Sequence, residues 1–251
     1  MCIRDSSEGR ARYDGFQFLL TRRFSKGVTA SASYTYSRTL EWVSYRNAQD
    51  TALEKAVAAW DVPQSLQLSG VWELPFGTGR AFLANTSKFT RLMVSGWEIS
   101  GIARLQSGMP LTLATNTVPT GAGPVYDGQN LDRWLNNCTL LANGSTSNCL
   151  SGETPAWTVR PANTLQTWST RITSVRTGGI RNLDVALMKR TQLTERLTLT
   201  IRGELMNATN TPQFFNGPNM DVTNGNFGRI SGAQSQTNLP RFGQISMKLQ
   251  F

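Results

Sequence analysis

The amino-acid sequence predicts an all-β protein whose antiparallel strands form a fragment of a transmembrane β-barrel. Three observations carry this prediction: apolar and polar residues alternate in seven segments, most segments have nine or more residues, and their connections alternate between short and long. A period of two indicates a β-strand with one apolar and one polar face. Crossing a bilayer at a tilt takes about nine to eleven residues, which most of these segments provide.

The alternation is clear near the C-terminus, where Leu197, Leu199 and Ile201 face one way and Thr198 and Thr200 the other. The same pattern recurs along the chain. The predicted strands cover residues 16–23, 28–37, 64–74, 93–106, 182–188, 197–205 and 241–251.

The charged residues separate a membrane barrel from a soluble β-sandwich, which also alternates. Mid-strand charges fall on the face opposite the apolar one, and Arg22, Arg38 and Lys189 fall only at strand ends. The predicted lumen-facing polar wall comprises Glu73, Glu98, Arg104, Asp184, Arg202, Glu204 and Lys248. An Arg or Lys that faces lipid at the midplane costs about 2–4 kcal/mol, so a bilayer imposes this distribution. Sandwich strands are also shorter, at about five to six residues.

The connections support the same architecture. Short ones are predicted around residues 25–27, 76–90 and 191–196, and long ones at 41–62, 107–177 and 209–238. Barrels of this kind carry turns at the periplasmic rim and long loops at the exterior rim. A loop as long as 107–177 would be unusual in a compact soluble domain.

Composition excludes several other classes. The longest apolar runs are shorter than the roughly 18 residues of a membrane-spanning helix. The 25 Lys and Arg exceed the 16 Asp and Glu to give +9, but they are scattered, and we expect no nucleic-acid partner. The chain has no histidine, so Ser-His or Cys-His nucleophile sites and His-ligated metal sites cannot be built from it alone. We therefore expect neither enzyme activity nor a cofactor.

Several segments resemble the C-terminal end of a TonB-dependent outer-membrane receptor. These are "IRNLDVALMKRTQLTERLTLTIRGELMNATNTPQF" (180–214), "NFGRI" (226–230), "LPRFGQISMKLQF" (239–251), "WDVPQSLQLSGVWELPFGTGR" (60–80) and "GWEISGIARLQSGMPLTL" (96–113). Within that superfamily the chain is most similar to the Oar-like branch, whose members carry a carboxypeptidase-regulatory-like domain. The resemblance implies about seven C-terminal strands of a 22-stranded, plugged barrel in the outer membrane of a Gram-negative bacterium.

The resemblance also implies a function and partners. The expected function is part of a receptor that binds a glycan, peptide or chelate and imports it. The alternative is an adhesive or structural surface barrel without active transport. The implied partners are outer-membrane lipid, the barrel assembly machinery, an extracellular ligand, and a plug domain and TonB complex that act through upstream segments. A plug with a TonB box in the upstream sequence would support import.

The resemblance further divides the chain. The opening "MCIRDS" resembles neither strand nor loop of the family. Residues 1–12 are therefore expected to be a leader or truncation scar, and residues 13–251 the C-terminal portion of the barrel. The terminal strand is implied to be the signal that the assembly machinery recognises. Its lipid-facing residues are Gly243, Ile245, Met247, Leu249 and the terminal Phe251. Seven strands alone are expected to form a curved open sheet.

The longest predicted loop holds two further candidate features. Cys138 and Cys149 are expected to form a disulfide in the oxidising exterior, with two free cysteines as the alternative. A candidate ligand platform comprises Tyr126, Trp134, Trp157 and Trp168, for which ordinary loop packing is the favoured alternative. The polar wall is expected to form a hydrogen-bonded network, with contact to plug or substrate as the alternative.

Overall fold

The computed structural model describes residues 8–77, 80–83, 87–231 and 236–251. Within these ranges the chain contains one short helix, α1 (Lys88–Val94). The strands in chain order are β1 (Arg10–Ser25), β2 (Val28–Trp42), β3 (Ala56–Val57), β4 (Gln64–Glu73), β5 (Trp97–Gln106), β6 (Pro110–Thr112), β7 (Thr117–Pro119), β8 (Thr139–Leu140), β9 (Thr146–Ser147), β10 (Trp157–Val159), β11 (Arg171–Arg176), β12 (Ile180–Gln192), β13 (Thr198–Met206) and β14 (Phe242–Gln250).

Seven long strands form one antiparallel sheet, which we call the wall. Their order is β1-β2-β4-β5-β12-β13-β14, and the two-residue β3 pairs with the outer end of β2. Each long strand therefore lies beside the next long strand along the chain, as in an up-and-down meander. This confirms the predicted all-β, antiparallel fold. The strands have nine to sixteen residues, long enough to cross a bilayer.

The strand register places the predicted apolar faces on one side of the wall. Phe18 pairs with Tyr34, Tyr34 with Leu66, and Leu66 with Leu105. The same side continues at the other edge, where Gly203 of β13 lies opposite Ile245 of β14. Because side chains alternate along each strand, this register gives the wall one continuous apolar face and one polar face. The apolar face is largely exposed, as expected of a surface that lipid covers.

The wall has a short-turn rim and a long-loop rim. At the short-turn rim, β1 and β2 are joined by Lys26 and Gly27, whose φ angles of 51° and 78° are those of a type I′ hairpin turn. Residues 193–197 join β12 to β13 at the same rim. Residues 43–63, 107–179 and 207–241 connect strands at the long-loop rim. This alternation agrees with the predicted pattern of connections.

One predicted strand starts too early. The strand predicted for residues 93–106 begins at Trp97, because Met93 belongs to α1. Ser87 caps this helix, and its Oγ accepts a hydrogen bond from the backbone N–H of Thr90 at 3.2 Å. Gly96 then reverses the chain at φ 75°, where a Cβ would lie 2.0 Å from the carbonyl oxygen of Arg190. The apparent alternation before Trp97 therefore reflects a capped helical turn.

The N-terminal boundary also differs from the prediction. Strand β1 begins at Arg10, so residues 10–12 of the predicted leader pair with the end of β2. Residues 1–7 of that leader lie outside the described residues. Among the helices of the described ranges, none has the length and apolar character needed to cross a membrane.

The two-faced wall gives a paired mutational prediction on β12. Leu187 lies on the apolar face opposite Ile99 and Gly203, whereas the adjacent Met188 lies on the polar face between Glu98 and Arg202. We expect Leu187→Arg to lower the free energy of unfolding in lipid vesicles by about 2–4 kcal/mol, because its charge would face hydrocarbon. Met188→Arg is the matched control and should change it by far less. Urea titration in vesicles measures both, and equal losses would contradict the assignment of faces.

Candidate functional site

The long loops fold together into a unit with its own core. This loop assembly consists of residues 43–63, 107–179, 207–231 and 236–241. Its core is a cluster of buried apolar residues that comprises Leu111, Leu113, Leu135, Ala156, Trp157, Val175, Met220 and Phe227. The rings of Trp157 and Phe227 meet edge to face at 5.8 Å and 87°. The main hydrophobic core of the described chain therefore lies in its loops, because the wall leaves its apolar face to the surroundings.

Small sheets and one disulfide organise the loop assembly. Strands β7, β10, β8 and β9 form a four-stranded sheet in that order, and β11 pairs with β6. Cys138 and Cys149 flank the β8–β9 hairpin and are joined by a disulfide with a Cα–Cα distance of 4.2 Å. Cys138 is completely buried. The crosslink closes the hairpin beside the core residue Trp157, whose strand β10 pairs in parallel with β8.

One ion pair and one buried carboxylate attach the loop assembly to the long-loop rim of the wall. Arg171 of β11 pairs with Glu41 on the polar face of β2, and its guanidinium also donates to the carbonyl oxygen of Val57 at 2.8 Å. Arg176 donates to Asp61 at 2.9 Å, and Asp61 in turn accepts the backbone N–H of Thr39 at 2.7 Å. Both carboxylates are almost fully buried, and together these contacts fix β11 over the upper end of the polar face.

A further contact joins the two longest loops. Asp221 accepts hydrogen bonds from the backbone N–H and hydroxyl of Thr223 and, at 2.6 Å, from the side-chain amide of Asn116. These bonds, those from Thr223 above all, lower the pKa of the Asp221 carboxyl because they stabilise its ionised form. This carboxylate therefore stabilises the folded state at pH values above 3.8, the ordinary pKa of an aspartate. The stabilisation is lost as the pH falls through the lower pKa that the carboxyl has in the folded state.

The predicted aromatic platform is not an exposed surface. Trp157 is only 1% exposed, and its indole N–H donates to the carbonyl oxygen of Asn136, so the prediction is wrong for this residue. Trp134 and Trp168 are partly buried and pack against the same core. The indole N–H of Trp134 donates to the carbonyl oxygen of Arg176 at 2.8 Å. Ordinary loop packing, the favoured alternative, describes these three tryptophans.

Tyr126 also has an internal partner. The guanidinium of Arg133 lies 4.9 Å from the centre of its ring and pairs with the carboxylate of Glu153. Arg133 donates to the carbonyl oxygen of Asn148 as well, at 3.1 Å. The ring therefore helps to hold the segment around the disulfide, and the four aromatic residues do not form a common ligand surface.

The residues of the predicted polar wall share one face, as the register shows. Glu73 lies opposite Glu98, Glu98 opposite Met188, and Met188 opposite Arg202. A shallow concavity of about 410 Å³ lies on this face and includes Asp184, Arg202 and Glu204. The wall thus offers a polar, mixed-charge surface beneath the loop assembly.

The expected hydrogen-bonded network across the polar face is only local. Arg202 pairs with Glu204 two residues along its own strand, and Glu204 accepts a hydrogen bond from Gln244 of the neighbouring strand. Arg104 donates to Gln106 at 2.7 Å and Asn182 to Asp184 at 3.0 Å, again within single strands. The basic residues Arg104, Arg202 and Lys248 are exposed, whereas the acidic residues of this face are partly buried. No group of three potential metal-ligating side chains occurs in the ranges that the structure describes.

The proposed C-terminal signal occupies the edge strand β14. Gly243, Ile245, Met247 and Leu249 lie on the apolar face, opposite Leu205, Gly203, Ile201 and Leu199 of β13. Phe251 follows the strand and is fully exposed. The geometry gives the strand an apolar face with a terminal aromatic, and its recognition by assembly machinery stays a prediction.

An apolar face turned outward, a polar face turned inward and folded loops at one rim together define a segment of a membrane-spanning β-barrel. The chain matches the outer membrane beta barrel domain family over residues 3–244 and belongs to that family. It is therefore located in the outer membrane.

Comparison with solved structures gave a similarity to a chain in a structure of the FpvAI–pyocin S2 complex. The sequences are 12% identical, and the TM-score is 0.40 over 96% of this chain. The match spans only 19% of that chain's length. The comparison with curated proteins gave no match.

The buried carboxylate of Asp61 gives a prediction about loop attachment. We expect Asp61→Ala to destabilise the attachment by about 3–5 kcal/mol, because it leaves Arg176 without its charge partner and the N–H of Thr39 without an acceptor. Hydrogen exchange at the amide of Thr39 and along β11 measures the loss. Asp127→Ala, at an exposed loop position, is the control. Undiminished protection in the Asp61 variant would contradict the anchoring role.

The disulfide gives a separate prediction about the β8–β9 hairpin. We expect the double substitution Cys138→Ser and Cys149→Ser to destabilise the loop assembly by about 3 kcal/mol, because the crosslink closes a short loop in the unfolded chain. Limited proteolysis between residues 138 and 153 under native conditions should then become faster. Cleavage at an unchanged rate would show that packing alone holds the hairpin.

Proposed function

We propose that this chain is the C-terminal part of the barrel of a TonB-dependent outer-membrane receptor of the Oar-like type, which binds and imports a glycan, peptide or chelate. The observation that carries the proposal is a polar inner wall lying under a folded loop assembly that is anchored to it. The resemblance of residues 180–214, 226–230 and 239–251 to the end of such receptors supports the same function.

The attachment of the loops matters for import. Glu41 and Asp61 hold Arg171 and Arg176, so the loop assembly is positioned over one sector of the polar face. A ligand that binds among the loops would lie close to the concavity on the polar face that Asp184, Arg202 and Glu204 line. Mixed charges can form hydrogen bonds with hydroxyl, amide and carboxylate groups, which suits the proposed classes of ligand. The proposed partners are an extracellular ligand, a plug domain, the TonB complex and the barrel assembly machinery.

The alternative is a surface barrel that binds a partner without transport. It is favoured by the rigid construction of the loop assembly, since a packed core and a disulfide can present a fixed exterior surface. Both proposals are non-enzymatic. The absence of histidine from the sequence supports this, because the common Ser-His and Cys-His arrangements cannot be assembled from these residues.

The test compares ligand binding with ligand accumulation in cells that produce the outer-membrane protein. Radiolabelled oligosaccharides, peptides and iron chelates are supplied to a host with TonB and to an otherwise identical host without it. We expect one ligand to bind the surface of both hosts and to accumulate only in the first, because import needs energy and binding does not. Surface binding with equal, background accumulation in both hosts would favour the adhesive alternative.

An inner-wall variant makes this test specific to the chain. Arg202→Gln removes an accessible charge from the polar face, and Arg196→Gln removes one from an exposed turn at the other rim. We expect Arg202→Gln to slow accumulation without reducing surface binding, and Arg196→Gln to change neither. Equal accumulation by both variants would exclude the inner wall from the route of the ligand.

A further inference from the structure

We propose that helix α1 lies in the phospholipid leaflet at the short-turn rim and inserts its apolar side, formed by Phe89, Leu92 and Met93, among the acyl chains. Trp97 and Lys189 are the positioning residues that hold the helix there. The proposal requires the outer-membrane location and the placement of the short turns on the periplasmic side. It does not depend on import, on a plug or on a ligand of the loops.

The first observation is an exposed apolar side on this short helix. α1 belongs to the connection between β4 and β5 at the short-turn rim. Phe89 is 75% exposed, Leu92 44% and Met93 54%. Their spacing of three and four residues places them on one side of the helix, and Arg91 falls on the opposite side. Large apolar residues on one side and a basic residue on the other are typical of a helix at a membrane surface.

The second observation is that the C-terminal end of α1 is held over the lipid-facing side of the wall. Trp97 and Lys189 face each other as the last register pair of β5 and β12 at this rim, and both share the apolar face. The indole N–H of Trp97 donates to the carbonyl oxygen of Met93 at 2.9 Å. The ammonium group of Lys189 donates to the carbonyl oxygens of Leu92, Met93 and Ser95 at 2.8–3.0 Å. The helix therefore extends the surface that the wall turns to lipid.

The third observation is how completely this helix end is hydrogen-bonded. The last carbonyl groups of an α-helix have no partner within the helix and commonly bond to water. Here the carbonyl oxygen of Arg91 accepts both the backbone N–H and the hydroxyl of Ser95. The carbonyl oxygens of Leu92 and Met93 accept the side-chain donors described above. A helix end in water does not need such partners, whereas one next to acyl chains does, because hydrocarbon offers no donors.

These features favour a phospholipid leaflet over a protein partner. The apolar face of the wall is the surface that lipid covers, and α1 is attached to that face. Tryptophan and lysine are also suited to the level of the headgroups, because each has an apolar body and a polar end. With Arg91 towards the water, the helix lies along the interface and its apolar side reaches the acyl chains.

The test places the photoreactive residue p-benzoylphenylalanine at the position of Phe89, or at that of Arg91, in the outer-membrane protein within living cells. After irradiation, mass spectrometry of the purified protein identifies what has been attached. We expect the mass of a phospholipid to be gained at the position of Phe89 and not at that of Arg91, because the two lie on opposite sides of the same helix. The position of Arg91 is therefore the matched control.

A probe at the position of Leu187, on the lipid-facing side of the wall, verifies that the reaction detects lipid. Attachment of another protein or of a second copy of this chain at the position of Phe89 would overturn the proposal. Equal attachment of lipid at the positions of Phe89 and Arg91, or attachment at neither, would also overturn it.

The substitution Lys189→Met tests the positioning role of the lysine. It removes the donor to three carbonyl oxygens at the helix end and adds no polar group to the lipid-facing side. We expect the difference between the two probe positions to be lost, because the released helix can turn. Arg196→Met, in the exposed β12–β13 turn at the same rim, is the control and should keep the difference. Heat-modifiable migration verifies that each variant is folded, and a difference retained by Lys189→Met would overturn the role assigned to Lys189.

Discussion

The bilayer's inability to solvate charge or to hydrogen-bond to backbone groups is the constraint on which this structure depends. It requires the long strands to satisfy one another's backbone groups and to keep charged side chains off the outward face at mid-depth. The register from Phe18 to Leu105 and from Gly203 to Ile245 shows how continuous that face is. A chain that turns its apolar residues outward cannot use them as a core, so its core forms elsewhere. Here it forms in the loops, around Trp157 and Phe227.

The loop assembly is joined to the wall by polar contacts. Glu41 and Asp61 are buried at the rim, and each has an arginine from β11 as its charge partner. Desolvating an ion pair is costly, but removing either partner is costlier, so such pairs enforce one arrangement more than they add stability. They specify where the loops sit relative to the polar face. For the proposed receptor function, this positioning is as important as the shape of the loops.

The sequence predicted the wall better than the loops, for a physical reason. Strand position, face and order follow from a period of two and from the lengths of connections, and both are local properties of the chain. The same local pattern misassigned Met93, because a capped helical turn before Trp97 can imitate alternation. The core around Trp157 depends on Phe227, seventy residues further along, and the pairing of Arg171 with Glu41 spans an even greater separation. No local sequence pattern reveals such contacts. The tryptophans therefore suggested a ligand surface, although they pack in and around the loop core.

The division of the loop core between two distant segments constrains the order in which the molecule can be built. Leu135 and Trp157 precede the β12–β13 hairpin in the chain, whereas Met220 and Phe227 follow it. The core is therefore complete only when the β12–β13 hairpin has brought the second segment back to the rim that holds the first. Until that moment the earlier loop is an unfinished half-domain with exposed tryptophan, and its disulfide can form ahead of its core. Completion of the loop core thus requires that the β12–β13 hairpin has formed.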